Sequence, residues 1–331
     1  MPKTLAVVLA LAGGTGALGD NITQQYGYDF VPVRDSGNAP YITNTGSPLY
    51  GGVDYEYRIS DTVTTATQWA DFLTDFVTAF GFGEVAGVSF DTLDNSITRP
   101  GGNGIIPSPG FEQHPILTPW RGAAIYCNWL HHGRTSEPSE LLVGAYDATT
   151  FGEDADGNLT DDITRLPSAR YWVPSRDELA KAAYYDPNRL GEGDGGYWLY
   201  PDAGDEPLFG AFPEEGGETN AFNPPGPEST FLPVLSYPHV SSPYGLHDVS
   251  GGVVEMTSTP AGGTILHTTL SRAGLDSDIN DFWDQIENQF LGTTGIGSGR
   301  AGFRVATAIP SPGGVALFGL GVAGFAPRRR A

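Results

Sequence analysis

The chain of 331 residues is 39% hydrophobic and 11% aromatic, enough to close a core, and its 46 Gly and 26 Pro describe a loop-rich globular protein and not a disordered one. Its 39 acidic residues against 17 basic ones give a net charge of -22, which repels a phosphate backbone and argues against nucleic acid as a partner. A lone cysteine, Cys127, rules out an internal disulfide, so packing must supply the stability.

Met1-Pro-Lys-Thr, the apolar run Leu5 to Ala12 and the small residues Ala17-Leu-Gly19 follow the order of a secretory signal peptide over residues 1–19, and the run is too short to span a membrane. Export to the cell envelope or the extracellular space is therefore expected. The alternation in Val53-Asp-Tyr-Glu-Tyr-Arg-Ile59 predicts a strand. Trp69, Phe72, Leu73, Phe76, Val77 and Phe80 recur at helical spacing and predict a helix from about Thr65 to Phe80, with Thr64 as its N-cap.

A second helix over Arg121 to His131 puts Ala124, Cys127 and Leu130 on one stripe, which makes Cys127 a small buried hydrophobe. His131 and His132 are adjacent, point about 100° apart on a helix and form a polar helix end, not a chelate. The loop Asp154 to Asp162 begins like a calcium-binding EF-hand but has Leu159 at position six and Arg165 at position twelve, so it reads as a solvated loop. Ser175 and Glu178 form a capping box that opens a third helix. Pro100 to Gly104, Gly191 to Gly196 and Asn223 to Pro227 hold so much Gly and Pro that they predict long ordered loops. Gly302 to Ala306 alternates as a second strand.

Ile309-Pro-Ser-Pro312, the apolar stretch Gly314 to Phe325 and Arg328-Arg-Arg330 resemble a PEP-CTERM sorting signal over residues 309–331, with Ser311 where the motif has Glu. The resemblance implies transient membrane contact through the tail and an exosortase-type processing partner. Residues 20–308 are left as one domain.

Six motifs in that domain come in a telling order: Val53 to Ile59, Val63 to Leu73, Pro119-Trp-Arg to Leu130, Tyr171-Trp-Val-Pro-Ser-Arg-Asp-Glu-Leu179, Tyr244-Gly-Leu-His-Asp to Glu255, and Gly302-Phe-Arg-Val-Ala306. Together they resemble the formylglycine-generating-enzyme family, the sulfatase-modifying factors. The resemblance implies an α+β, loop-rich variant of the C-type-lectin fold with little regular secondary structure, in which the first and last strands lie together. It also implies copper-dependent oxidation of a substrate cysteine by two enzyme cysteines before the Gly-Phe-Arg strand. The matching stretch, Leu270 to Asp278 and on to Arg304, contains no cysteine, so oxidase activity and copper binding are not expected. The iron-binding histidine cluster of another branch of the family is also missing from the sequence, which has six histidines in all.

The same resemblance places a structural calcium at Asp248, Gly251, Val253 and Glu255, where two carboxylates and a tight backbone turn supply hard oxygens. The family's second calcium would fall near Asn220 and Ala221, where the sequence departs too far for assignment. The leading expectation is a non-catalytic envelope protein that binds a glycan or a surface protein through its loops, with Trp198 and Trp283 as stacking platforms or core residues. The alternatives are a divergent enzyme of the same family, an oxidoreductase on a protein or small thiol or an acidic-residue hydrolase, and a purely structural surface component.

Overall fold

The computed structural model describes residues 23–47, 49–89, 96–101, 104–156, 159–220, 232–261, 264–267, 284–287 and 301–309. The expected signal peptide, the tail beyond 309, Ala221, Trp283 and the stretch 270–278 lie outside them.

The chain opens on a hairpin of β1 (Thr23–Gln25) and β2 (Tyr28–Val33), turned at Tyr26-Gly27. Both turn residues have positive φ, the mark of a two-residue hairpin turn whose twist suits the strands. Then come β3 (Tyr57–Ser60), α1 (Ala66–Phe80), β4 (Glu84–Val85), β5 (Val88–Ser89), β6 (Ile97–Gly101), β7 (Gly104–Pro107), α2 (Trp120–His131) and α3 (Pro138–Leu142). The rest is β8 (Tyr171–Trp172), α4 (Arg176–Tyr184), β9 (Tyr185–Gly191), β10 (Asp194–Tyr197), β11 (Pro260–Ala261), β12 (Thr264–His267) and β13 (Ala306–Ala308). One antiparallel sheet in the order β1-β2-β3-β13-β8 organises the whole, and the other strands form two-stranded hairpins. The architecture is α+β and loop-rich, as expected.

The helices form where the apolar spacing places them. Thr65, not Thr64, caps α1: its hydroxyl accepts from the Gln68 N–H while the Gln68 side chain accepts from the Thr65 N–H at 2.8 Å. The Thr64 hydroxyl is instead bonded to Tyr28 at 2.8 Å inside the core. Ser175 and Glu178 close the predicted capping box on α4.

α1 and α2 meet through rings. Trp69 stacks on Tyr126 with centroids 5.6 Å apart, Phe72 lies edge-on to Trp129 at 5.7 Å, and Phe303 packs against Tyr126 at 5.4 Å.

Four loop-and-strand expectations change. Gly191 and Asp194 to Gly196 belong to the β9–β10 hairpin, and Pro100, Gly101 and Gly104 belong to the β6–β7 pair, because glycine-rich turns close hairpins as readily as they open loops. The 53–59 strand shortens to β3, since Val53 is tied to the 37–38 loop by its own N–H and carbonyl. Of the 302–306 strand only Ala306 belongs to the five-stranded sheet. Residues 301–306 are buried on every side, so the segment threads the core before it joins the sheet beside β3.

Candidate functional site

The segment that leads into β13 carries Arg304, a fully buried guanidinium. Its Nε donates to Glu255 Oε2 at 2.9 Å and its Nη2 to Oε1 at 3.0 Å, a bidentate pair with both side chains out of water. Nη2 also donates to the His247 carbonyl at 2.7 Å, and Nη1 donates to the carbonyls of Ser60, at 3.3 Å, and Asp61. Burial by itself would lower the Arg304 pKa, but the charge and hydrogen bonds of Glu255, together with the charges of Asp248 and Asp61, outweigh it and leave the group raised.

Glycine at 302 makes this reach possible. Gly302 bridges Glu255 in parallel, and a Cβ there would sit 2.4 Å from a Val253 methyl, so no side chain is tolerated where the two backbones meet.

Arg304 thus pins the end of β3 to the turn 247–255. Beside it the His247 ring Nδ1 lies 2.7 Å from Asp61 Oδ1, a bond that raises the imidazole pKa. Asp248 follows in the left-handed region at φ 55° and accepts from the N–H of Leu235, itself at φ 61°, at 2.8 Å. Two non-glycine residues strained in this way and bonded to each other are the kind of feature that gathers at binding sites. Burial raises the Asp248 carboxyl pKa. Asp248, Asn220, Ser250, Tyr237, Val63 and Val253 line a cavity whose empty volume, open solvent included, is about 340 Å³. Asn220 Oδ1 accepts from the Gly252 N–H at 2.8 Å and holds the turn against it.

Chemically the cluster offers acceptors and hydroxyls but no assembled nucleophile. The Asp61–His247 pair has the carboxylate–imidazole contact that a hydrolase triad contains, yet the Ser250 hydroxyl donates to Asp284 and lies 2.8 Å from Thr219, not against the imidazole. The Cys127 thiol is fully buried on α2, and burial pushes its pKa far up, away from thiolate chemistry.

One family description, Sulfatase-modifying factor enzyme 1-like domain, matches residues 53–309. The chain belongs to that family. Among curated proteins, none matches it. The match runs through every element that builds this sulfatase-modifying-factor-like site, from β3 to β13.

Of the four positions expected to hold calcium, Asp248 and Val253 border one cavity, and Gly251 lies in the turn at φ 73°. The carboxylate of Glu255 faces Arg304, which occupies both of its oxygens. The donor set fits a calcium ion only in part, because a guanidinium already neutralises its strongest ligand. Among the described residues, no group of three or more His, Cys, Asp and Glu side chains is placed to hold a metal.

His131 and His132 do form a polar helix end. His132 Nε2 lies 2.9 Å from the Val143 carbonyl, and His131 Nδ1 accepts from the Arg170 N–H at 3.1 Å. The loop read as solvated is anchored: the Asp161 side chain is fully buried against Arg121, with contacts of 2.6 and 2.7 Å. Trp198 is half-buried on β10's trailing side, with Arg189 over its ring at 4.3 Å, so it is neither core nor a bare platform. The sequence motifs contained Arg304 and His247 but did not pair them with Glu255 and Asp61. No short-range signal links residues so far apart in the chain.

Proposed function

We propose that this chain is an exported cell-envelope protein whose sulfatase-modifying-factor-like domain, spanning residues 20–308, is a non-catalytic binding scaffold. In this reading residues 1–19 direct export. Residues 309–331 form a PEP-CTERM-like tail that contacts the membrane and is handed to an exosortase-type enzyme. The domain takes the C-type-lectin-like variant of the α+β fold, and its long loops present a surface to a glycan or surface-protein partner.

One observation carries the reading. The only thiol of the chain is sealed inside α2, while the family's oxidation requires two cysteines that the sequence does not contain. The test is oxygen uptake by the copper-loaded protein on a cysteine peptide. No uptake above that of free copper is expected, and uptake that disappears in Cys127→Ser would overturn the proposal.

Within the same reading, calcium at the 248–255 turn is held by Asp248 and the carbonyl oxygens of Gly251 and Val253, with Glu255 shared with Arg304. Calcium then raises the melting temperature of the wild type and not of Asp248→Asn. An equal rise in both proteins would remove calcium from this turn.

A further inference from the structure

A second cavity lies against the five-stranded sheet, well apart in composition from the acidic turn. Its walls come from Thr23 and Gln25 of β1, Arg58 of β3, Thr307 of β13, and Arg170 with Tyr171 of β8, over a floor that includes the Phe30 ring. The register explains the grouping: Arg58 pairs with Thr307, Thr307 with Tyr171, and Thr23 with Phe30, and directly opposed residues project from the same face. The result is a groove across the sheet with an empty volume of about 830 Å³, open solvent included.

Its charge is out of keeping with the molecule. Arg34, Arg121, Arg134, Arg165, Arg189 and Arg304 each face a carboxylate. Arg58 faces none among the described residues, and its Nε is shut off from water without a hydrogen-bond partner. Arg170 reaches a carbonyl, that of His131, at 3.4 Å. In a chain with a net charge of -22, two guanidinium groups thus share one groove with no carboxylate against them among the described residues. A buried donor left unpaired is costly, and a guanidinium fork matches a carboxylate.

We propose that this groove binds an acidic sugar, a hydroxyl-rich chain carrying uronate carboxylates. Arg58 and Arg170 take the carboxylates, and the Thr307 hydroxyl, which donates to the Arg170 carbonyl at 2.7 Å, keeps its lone pairs to accept from the sugar hydroxyls. A peptide fits this surface less well. Peptides that add to sheets run along a free edge, here the outer edge of β1 or of β8, whereas this groove crosses the face of the sheet over β3 and β13, whose ladders are already made on both sides. The proposal rests on the binding function above and gives it a ligand class.

The test is calorimetry on the full-length protein with a short oligogalacturonate, set against a neutral oligosaccharide of equal length, a sulfated one and an oligoglutamate peptide. Uronate should bind, with affinity falling as salt rises, and the other three should bind at least about tenfold more weakly. Arg58→Gln and Arg170→Gln should each weaken uronate about tenfold, whereas Arg34→Gln, which removes the same charge elsewhere, should not. Melting curves report folding. If Arg58→Gln does not fold, Arg170→Gln, at an exposed side chain, decides.

Absent uronate binding, equal binding of any comparison ligand, or undiminished binding by the arginine variants would overturn the groove. Undiminished binding by those variants would still leave a non-catalytic binder. Copper-dependent turnover would end the non-catalytic reading and leave the groove in place.

Discussion

A guanidinium sealed between a carboxylate and three carbonyl oxygens loses far more when one partner is removed than a surface pair does, because the survivor stays charged and dry. Glu255→Ala should therefore cost about 3–5 kcal/mol in urea denaturation, while the surface change Glu56→Ala, opposite the exposed Arg34, should cost under about 1 kcal/mol. This is also why Asp248→Asn, which spares the Arg304 pair, is the variant that reports on calcium. Lys181 gives a second test. It is buried on α4, its ammonium donates to the Asp35 carbonyl at 2.7 Å, and burial lowers its pKa from 10.5 to about 8. The unfolded chain then holds a proton that the folded chain lacks between those values, so folding stability rises with pH across that window. The stability difference between wild type and Lys181→Met should move in favour of the wild type from pH 8 to 10.5 and stay flat below it.

At the scale of elements, the helices were legible and the strands only in part. The capping box at Ser175 and the apolar stripe of α1 were read correctly because both depend on residues three or four apart. Thr64 and Thr65 are equally good caps by type. The choice fell to tertiary structure, where Tyr28 takes the Thr64 hydroxyl. Thr65→Ala should cost about 1 kcal/mol by thermal or urea denaturation, the usual worth of a cap. The β9–β10 and β6–β7 hairpins were hidden because Gly and Pro mark a reversal without saying whether the flanks pair. The 302–306 segment has strand-like alternation, yet it is buried all round, and alternation tells nothing about a chain threaded through a core.

In the whole molecule, family membership came from motif order along the chain, and the match over 53–309 agrees with it. The missing cysteine pair was equally plain, since composition does not depend on folding. The sequence by itself determined the family, the α+β class, the three main helices and the lone thiol. Only the tertiary structure decided that Glu255 belongs to Arg304, that Asp161 is buried against Arg121, and that Arg58 lies in a groove with no carboxylate against it among the described residues. Local spacing sets helices and caps through contacts a turn apart, whereas an ion pair between distant segments exists only once packing has brought them together and excluded water.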